Sequence, residues 1–175
     1  MRYLKVTAQD RSGNGKADAV LLHFHNSPDN LVHEAFAVDM SADGRIEFGF
    51  AGDINSDGEQ NFQDQLLLTV FAEVFLQLNW FNKGDNWERY LKISAKDHHQ
   101  DGSPNVVSLQ FSEDDGTPGI PIWIKGAAAY DGDNDGRLDS FTNTDVNSDG
   151  IANRADKVLL RNIAQSFLAF RWFEN

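Results

Sequence analysis

The sequence predicts an α+β fold of two tandem, pseudo-symmetric repeats, each with about four short antiparallel strands followed by an acidic loop and one amphipathic helix. Three observations predict it. The chain repeats itself almost from end to end. Short β-branched and aromatic runs alternate with Gly, Asp and Asn turns in the early part of each copy. Each copy then closes on a longer stretch with helical periodicity.

The repetition is direct. Arg2-Tyr3-Leu4-Lys5-Val6-Thr7-Ala8 returns 87 positions later as Arg89-Tyr90-Leu91-Lys92-Ile93-Ser94-Ala95. Further on the offset becomes 92, with Asp39, Asp43, Gly44 and Arg45 matching Asp131, Asp135, Gly136 and Arg137, and Trp80-Phe81 matching Trp172-Phe173. The extra residues fall in Asp114-Asp115-Gly116-Thr117-Pro118-Gly119, which reads as a longer turn. This division places one repeat at 1–86 and the second at 87–175. The junction near Asn82 to Asn86 is too short for independent movement, so the two are expected to dock as one unit.

In chain order, Tyr3 to Ala8, Ala19 to His25, Val32 to Val38 and Ile46 to Phe50 are short, rich in β-branched or aromatic residues and bounded by turn signals. They are expected as strands. A helix is expected over about Phe62 to Leu78, where Leu67, Phe71, Val74, Phe75 and Leu78 recur at i+3 and i+4. The second copy repeats it over about Arg154 to Phe170, with Leu159, Leu160, Ile163, Phe167 and Phe170 on the buried stripe.

Composition limits the function classes. A hydrophobic fraction of 41%, with 13 Phe and 4 Trp, is ample for a packed interior. The net charge of −12, interrupted by no basic stripe, disfavours nucleic acid and anionic membranes and makes cations the natural partners. Cysteine is absent, which removes disulfides, thiolate metal sites and Cys nucleophiles. No apolar run approaches the roughly 20 residues of a spanning helix, so no membrane insertion is expected. No signal peptide precedes the first strand, which reads either as signal-independent export or as an excised portion of a longer protein.

The acidic residues gather in six loops. Asp53, Asn55, Asp57, Asn61 and Asp64 occupy positions 1, 3, 5, 9 and 12 of a twelve-residue loop, with Gly58 at the sharp turn and the Glu59 carbonyl at position 7. Asp145, Asn147, Asp149, Asn153 and Asp156 repeat the scheme, with the Ile151 carbonyl at position 7. Alternate residues of such a loop turn oxygen atoms inward around one hard cation. The last Asp and a following Leu-Leu pair make both loops resemble the calcium-binding repeats of type I dockerins, relatives of the EF-hand. That resemblance implies Ca²⁺ as the ion and places Asp64 and Asp156 at the start of the next helix. Positions 10 and 11 are Phe62-Gln63 and Arg154-Ala155, where that family commonly has the Ser or Thr used to bind cohesins.

Four shorter loops keep positions 1, 3, 5, 7 and 9. One pair is Asp39, Ser41, Asp43, the Arg45 carbonyl and Glu47, and Asp131, Asp133, Asp135, the Arg137 carbonyl and Asp139, with Phe50 and Thr142 at position 12. The other is Asp10, Ser12, Asn14, the Lys16 carbonyl and Asp18, and Asp97, Asp101 and Asn105 with His99 at position 3. This second pair links successive strands and resembles the hairpin calcium loops of integrin-like β-propeller blades. Histidine is a poor ligand for calcium, so the Asp97 loop is the weakest of the six. Clustered carboxylates repel one another until a cation neutralises them. Several Ca²⁺ ions, up to six, are expected, and six would formally offset the net charge of −12.

The expected function is therefore that of a calcium-binding protein or module whose fold the ion stabilises, part of an extracellular or cell-surface bacterial assembly where calcium is abundant. The alternative is a calcium-dependent adhesion or dockerin-like module that binds a protein or glycan, with Trp80, Trp87, Trp123 or Trp172 available for stacking on sugars. A hydrolase ranks last and no enzyme is expected, because Glu34, Glu73, Glu88 and Glu113 are scattered and no nucleophile elbow, phosphate loop or zinc helix motif is present. His23 and His25 alternate on one strand and read as a solvated face rather than a transition-metal site.

Overall fold

The computed structural model describes residues 1–82, 88–114, 116–118 and 121–174. The 86/87 boundary, Trp87 and residues Asp115 and Gly119 of the inserted turn lie outside the described residues. The strands are β1 (Tyr3–Gln9), β2 (Ala19–Ser27), β3 (Asn30–Val38), β4 (Phe48–Phe50), β5 (Glu88–Lys96), β6 (Val106–Asp114), β7 (Ile122–Tyr130) and β8 (Ser140–Phe141). The helices are α1 (Phe62–Phe75) and α2 (Arg154–Ala169), and 3₁₀ turns cover Leu76–Leu78 and Trp80–Asn82.

All eight strands join one sheet in the order β4-β3-β2-β1-β5-β6-β7-β8, with every neighbouring pair antiparallel. This overturns the expected fold of two tandem repeats, each with its own strand set and helix. The reason lies at the centre. Separate four-stranded sheets would leave β1 and β5 as edges with unpaired backbone groups and apolar side chains. Instead Leu4 pairs with Ile93 and Val6 with Leu91, closing both edges at once. Lys5 and Lys92 face each other in this pairing, and each ammonium finds a ring, Lys5 over Tyr90 at 4.5 Å and Lys92 over Tyr3 at 4.2 Å.

Alternation on the strands buries one face of the sheet. Leu4, Val6, Val20, Leu22, Phe24, Leu91, Ile93, Val107, Leu109 and Phe111 are buried, and the two helices cover them. The helices also pack on each other, with Phe71 of α1 and Phe170 at the end of α2 5.2 Å apart, so a single core spans the molecule. Trp172 stands edge-on to Phe24 at 5.6 Å and Trp80 edge-on to Phe111 at 5.2 Å; both indoles are buried anchors.

The helices differ from expectation in one respect. Leu159, Leu160, Ile163, Phe167 and Phe170 of α2 are all buried, as its periodicity requires. Helix α1 buries Leu68, Phe71 and Phe75 but also exposes Phe62, Leu66 and Val70, so it is apolar on both sides rather than amphipathic.

Candidate metal centres

The six acidic loops share one backbone design. In each, position 4 takes the left-handed conformation, at Gly13, Ala42, Ser56, Gln100, Asn134 and Ser148, and the position-6 glycine takes it again with φ between 83° and 94°. A side chain at position 6 would strain that turn, which is why glycine recurs there. In every loop the N–H of position 6 donates to the position-1 Asp at 2.6–3.0 Å. The N–H of position 7 donates to the position-5 side chain at 2.9 Å, again in all six. The position-1 and position-5 oxygens are thereby aimed by the backbone itself.

The loops divide by how they close. In the nine-residue loops the position-9 side chain receives the early N–H groups. Asp18 accepts from Arg11 and Ser12, Asn105 from His98 and His99, Glu47 from Met40 and the Ser41 hydroxyl, and Asp139 from Gly132. In the twelve-residue loops position 12 does this instead. Asp64 accepts from Ile54, Asn55 and Asn61, and Asp156 from Val146, Asn147 and Asn153. Both carboxylates are 1% exposed and form the third residue of α1 and α2. Asn61 and Asn153, at position 9, cap those helices by accepting from Gln63 and Ala155.

Burial works against the charge on Asp156 and Asp18, yet the N–H donors outweigh it and hold both carboxyls below the ordinary aspartate value. The Ser41 hydroxyl foremost, then the Met40 N–H, lowers Glu47. Asp57 is lowered by the Glu59 N–H and the Asn55 amide. These groups stay ionised, the state a cation needs.

Carboxylates converge most closely in the Asp39 and Asp131 loops. Asp39, Asp43 and Glu47 bring one oxygen each within 4.8 Å of one another, as do Asp131, Asp133 and Asp135. In both triads the first Asp is buried and the other two are exposed, an arrangement open to solvent on one side. Asp139 lies beside the second triad through its bond to Gly132. In the Asp53 and Asp145 loops Asn replaces the carboxylate at position 3 and donates to position 5, at 2.9 Å for Asn55 to Asp57 and 3.1 Å for Asn147 to Asp149. Asp10, Ser12 and Asn14 are tied by the Ser12 hydroxyl and the Asp10 carboxylate into one exposed turn.

Three site residues escaped the sequence reading. Asn134, at position 4 of the Asp131 loop, donates to Asp101 at 2.6 Å and accepts from Asn105, joining two loops through one amide. The Asn134 bond is the foremost cause lowering the Asp101 carboxyl. Lys125 places its ammonium on the Asp145 carbonyl and the Ser148 hydroxyl. Glu73 of α1 accepts from the Ile46 N–H, anchoring the Asp39 loop to the helix. Asn134 alone carried a signal, an extra amide where the matching Asp39 loop has Ala42.

His23 and His25 have different neighbours. His25 stacks on Tyr3 at 4.8 Å, while His23 Nε2 lies 3.4 Å from Glu34. Trp123 is 64% exposed on β7. No family model, curated protein or solved structure matches the chain, so the functional reading stands on loop geometry and donor chemistry.

Proposed function

We propose that this chain is a calcium-binding module in which Ca²⁺, held by the acidic loops, is a component of the fold. The observation that carries the reading is the pair of carboxylate triads, Asp39/Asp43/Glu47 and Asp131/Asp133/Asp135, each on a backbone that repeats in six loops. Three carboxylates so close repel strongly until a divalent ion neutralises them. An all-oxygen donor set with backbone carbonyls at Arg45 and Arg137 favours a hard cation of flexible coordination, which is calcium before magnesium.

The two triads are the primary sites, and the Asp53 and Asp145 loops, then the Asp10 and Asp97 loops, are further sites of the same kind. The role is binding and structural rather than catalytic. Extracellular modules of this kind bind calcium at about 10⁻⁴ to 10⁻³ M, and such a concentration is met outside the cell. Calorimetric titration of the chelated protein with Ca²⁺ and with Mg²⁺ tests the reading. At least two calcium sites, with magnesium weaker, is the expected outcome, and absence of calcium heat at millimolar concentration overturns it.

A second reading, a calcium-stiffened module that holds a glycan, is favoured by Trp123. Its indole leans over the backbone of Gly126, where an added Cβ would sit 3.3 Å from the ring, leaving the other face to solvent. A glycan array with and without chelator tests it; retention that Trp123→Ala abolishes is the supporting result.

A further inference from the structure

Folding assembles a positive patch that neither the composition nor the order of charges along the chain announces. Arg154, Lys157 and Arg161 lie at i, i+3 and i+7 of α2 and line a cavity of about 400 Å³ together with Asp139, Ser140 and Phe141. That volume falls within the range of small-molecule sites, about 300–1,000 Å³. The Arg161 guanidinium lies 4.9 Å from the centre of the Phe141 ring. None of the three cations forms an ion pair among the described residues.

The helix does not need these charges. Arg154 is its first residue and Lys157 stands in its first turn, at the positive end of the helix dipole, where cations are disfavoured. The acidic residue of that turn, Asp156, is turned inward onto backbone N–H groups and does not reach the pocket side. In α1 the matching positions are Phe62, Gln65 and Thr69, all uncharged. Three cations against the single carboxylate of Asp139, added to the helix N-terminus, leave the pocket net positive in a protein of net charge −12.

We propose that this pocket binds the oxyanion group, sulfate or carboxylate, of a small ligand. Two guanidinium forks match the planar or tetrahedral array of oxygens and Lys157 adds a third donor group. Phe141 supplies an apolar floor, Ser140 a hydroxyl, and Asp139 an acceptor for a ligand hydroxyl, a combination that fits an acidic sugar as well as a free ion. Its cations come from α2, while Asp139 is shared with the Asp131 loop, so the pocket borders a proposed calcium site.

The test is a ¹H–¹⁵N NMR titration of the whole protein in calcium-containing buffer at constant ionic strength. The probes are sodium sulfate, sodium glucuronate, glucose and sodium chloride. Saturable shifts at the amides of residues 154–157 and at the Arg154 and Arg161 side-chain Nε are expected with sulfate or glucuronate and not with glucose or chloride. Glucuronate binding tighter than sulfate assigns the pocket to a sugar-borne group; sulfate alone assigns it to the free oxyanion. The exposed substitutions Arg154→Gln and Arg161→Gln weaken binding about tenfold each, with helix content unchanged by circular dichroism. Shifts that fail to saturate, that chloride reproduces, or that persist at full affinity in both variants overturn the proposal.

Discussion

The Asp131 and Asp145 loops begin identically and end differently. In both, a leading Asp receives the position-5 and position-6 N–H groups and the position-5 side chain receives the position-7 N–H. The Asp145 loop then runs on into a helix, and its last carboxylate is buried under three N–H bonds. The Asp131 loop stops at position 9, and three of its carboxylates converge at an open surface. The difference teaches that a shared acidic motif serves two ends. One closure makes a helix start that is satisfied by the protein's own donors, while the other leaves repulsion that only an external cation relieves.

Substitutions can break this contrast, the largest effect first. Asp156→Ala, or Asp64→Ala, orphans three N–H groups, one of them buried, and removes half of a capping box, and should cost about 2–5 kcal/mol. Most of the loss persists in chelator, because those bonds need no ion, and the remainder appears only with calcium as position 12 of a calcium loop is removed; denaturant unfolding in both conditions will report the two parts. Asp133→Asn acts the opposite way. It removes repulsion, so the chelated protein is unchanged or slightly more stable, but the stabilisation gained from calcium falls by about 1–3 kcal/mol as one site is weakened. Comparing melting curves with and without calcium for both variants separates the two closures.

A smaller effect concerns Asn134. Its amide joins the Asp131 loop to Asp101 and Asn105, and the backbone adds a bond from the Asp131 N–H to the Asn105 carbonyl. Asn134→Ala should make these neighbouring loops titrate independently, seen as a loss of positive cooperativity in calcium binding, while the Asp39 site is untouched. Coupling that survives the substitution would mean the backbone bond alone carries it.

The smallest effect is a pH dependence away from the loops. Burial, and then the neighbouring charges of His23, Lys5 and Lys92, holds His25 below the ordinary histidine value of 6.5. A depressed histidine favours the folded state above its unfolded pKa, and that contribution is lost as pH falls through the folded value. Following the imidazole C–H resonances with pH should place the His25 midpoint below 6.5, and Lys92→Gln should raise it.

Much of this was legible in the residues themselves. Period-2 runs such as Tyr3 to Ala8 lie within the observed strands, and the Asn61/Asp64 and Asn153/Asp156 spacings mark helix starts because capping is local chemistry. The union of the two strand sets in one sheet was not, and separate sets were expected instead, because the pairing of Leu4 with Ile93 joins residues far apart in sequence and no local pattern specifies which edge a strand will meet. The loops were legible as motifs, but not their closure. Position 9 holds Asn in the twelve-residue loops and Asp or Glu in the two triad loops, and only the fold reveals that Glu47 joins its triad while Asp139 lies beside the other. The pocket at Arg154, Lys157 and Arg161 was hidden for a similar reason, since helical spacing brings together cations that the acidic average conceals.

A crystal structure grown in millimolar calcium tests the central claim most directly. The account predicts a cation between Asp131, Asp133 and Asp135, and another among Asp39, Asp43 and Glu47, with oxygen ligands at about 2.3–2.6 Å. Ordinary water at hydrogen-bond distances in both triads, under calcium sufficient to fill extracellular sites, would contradict it.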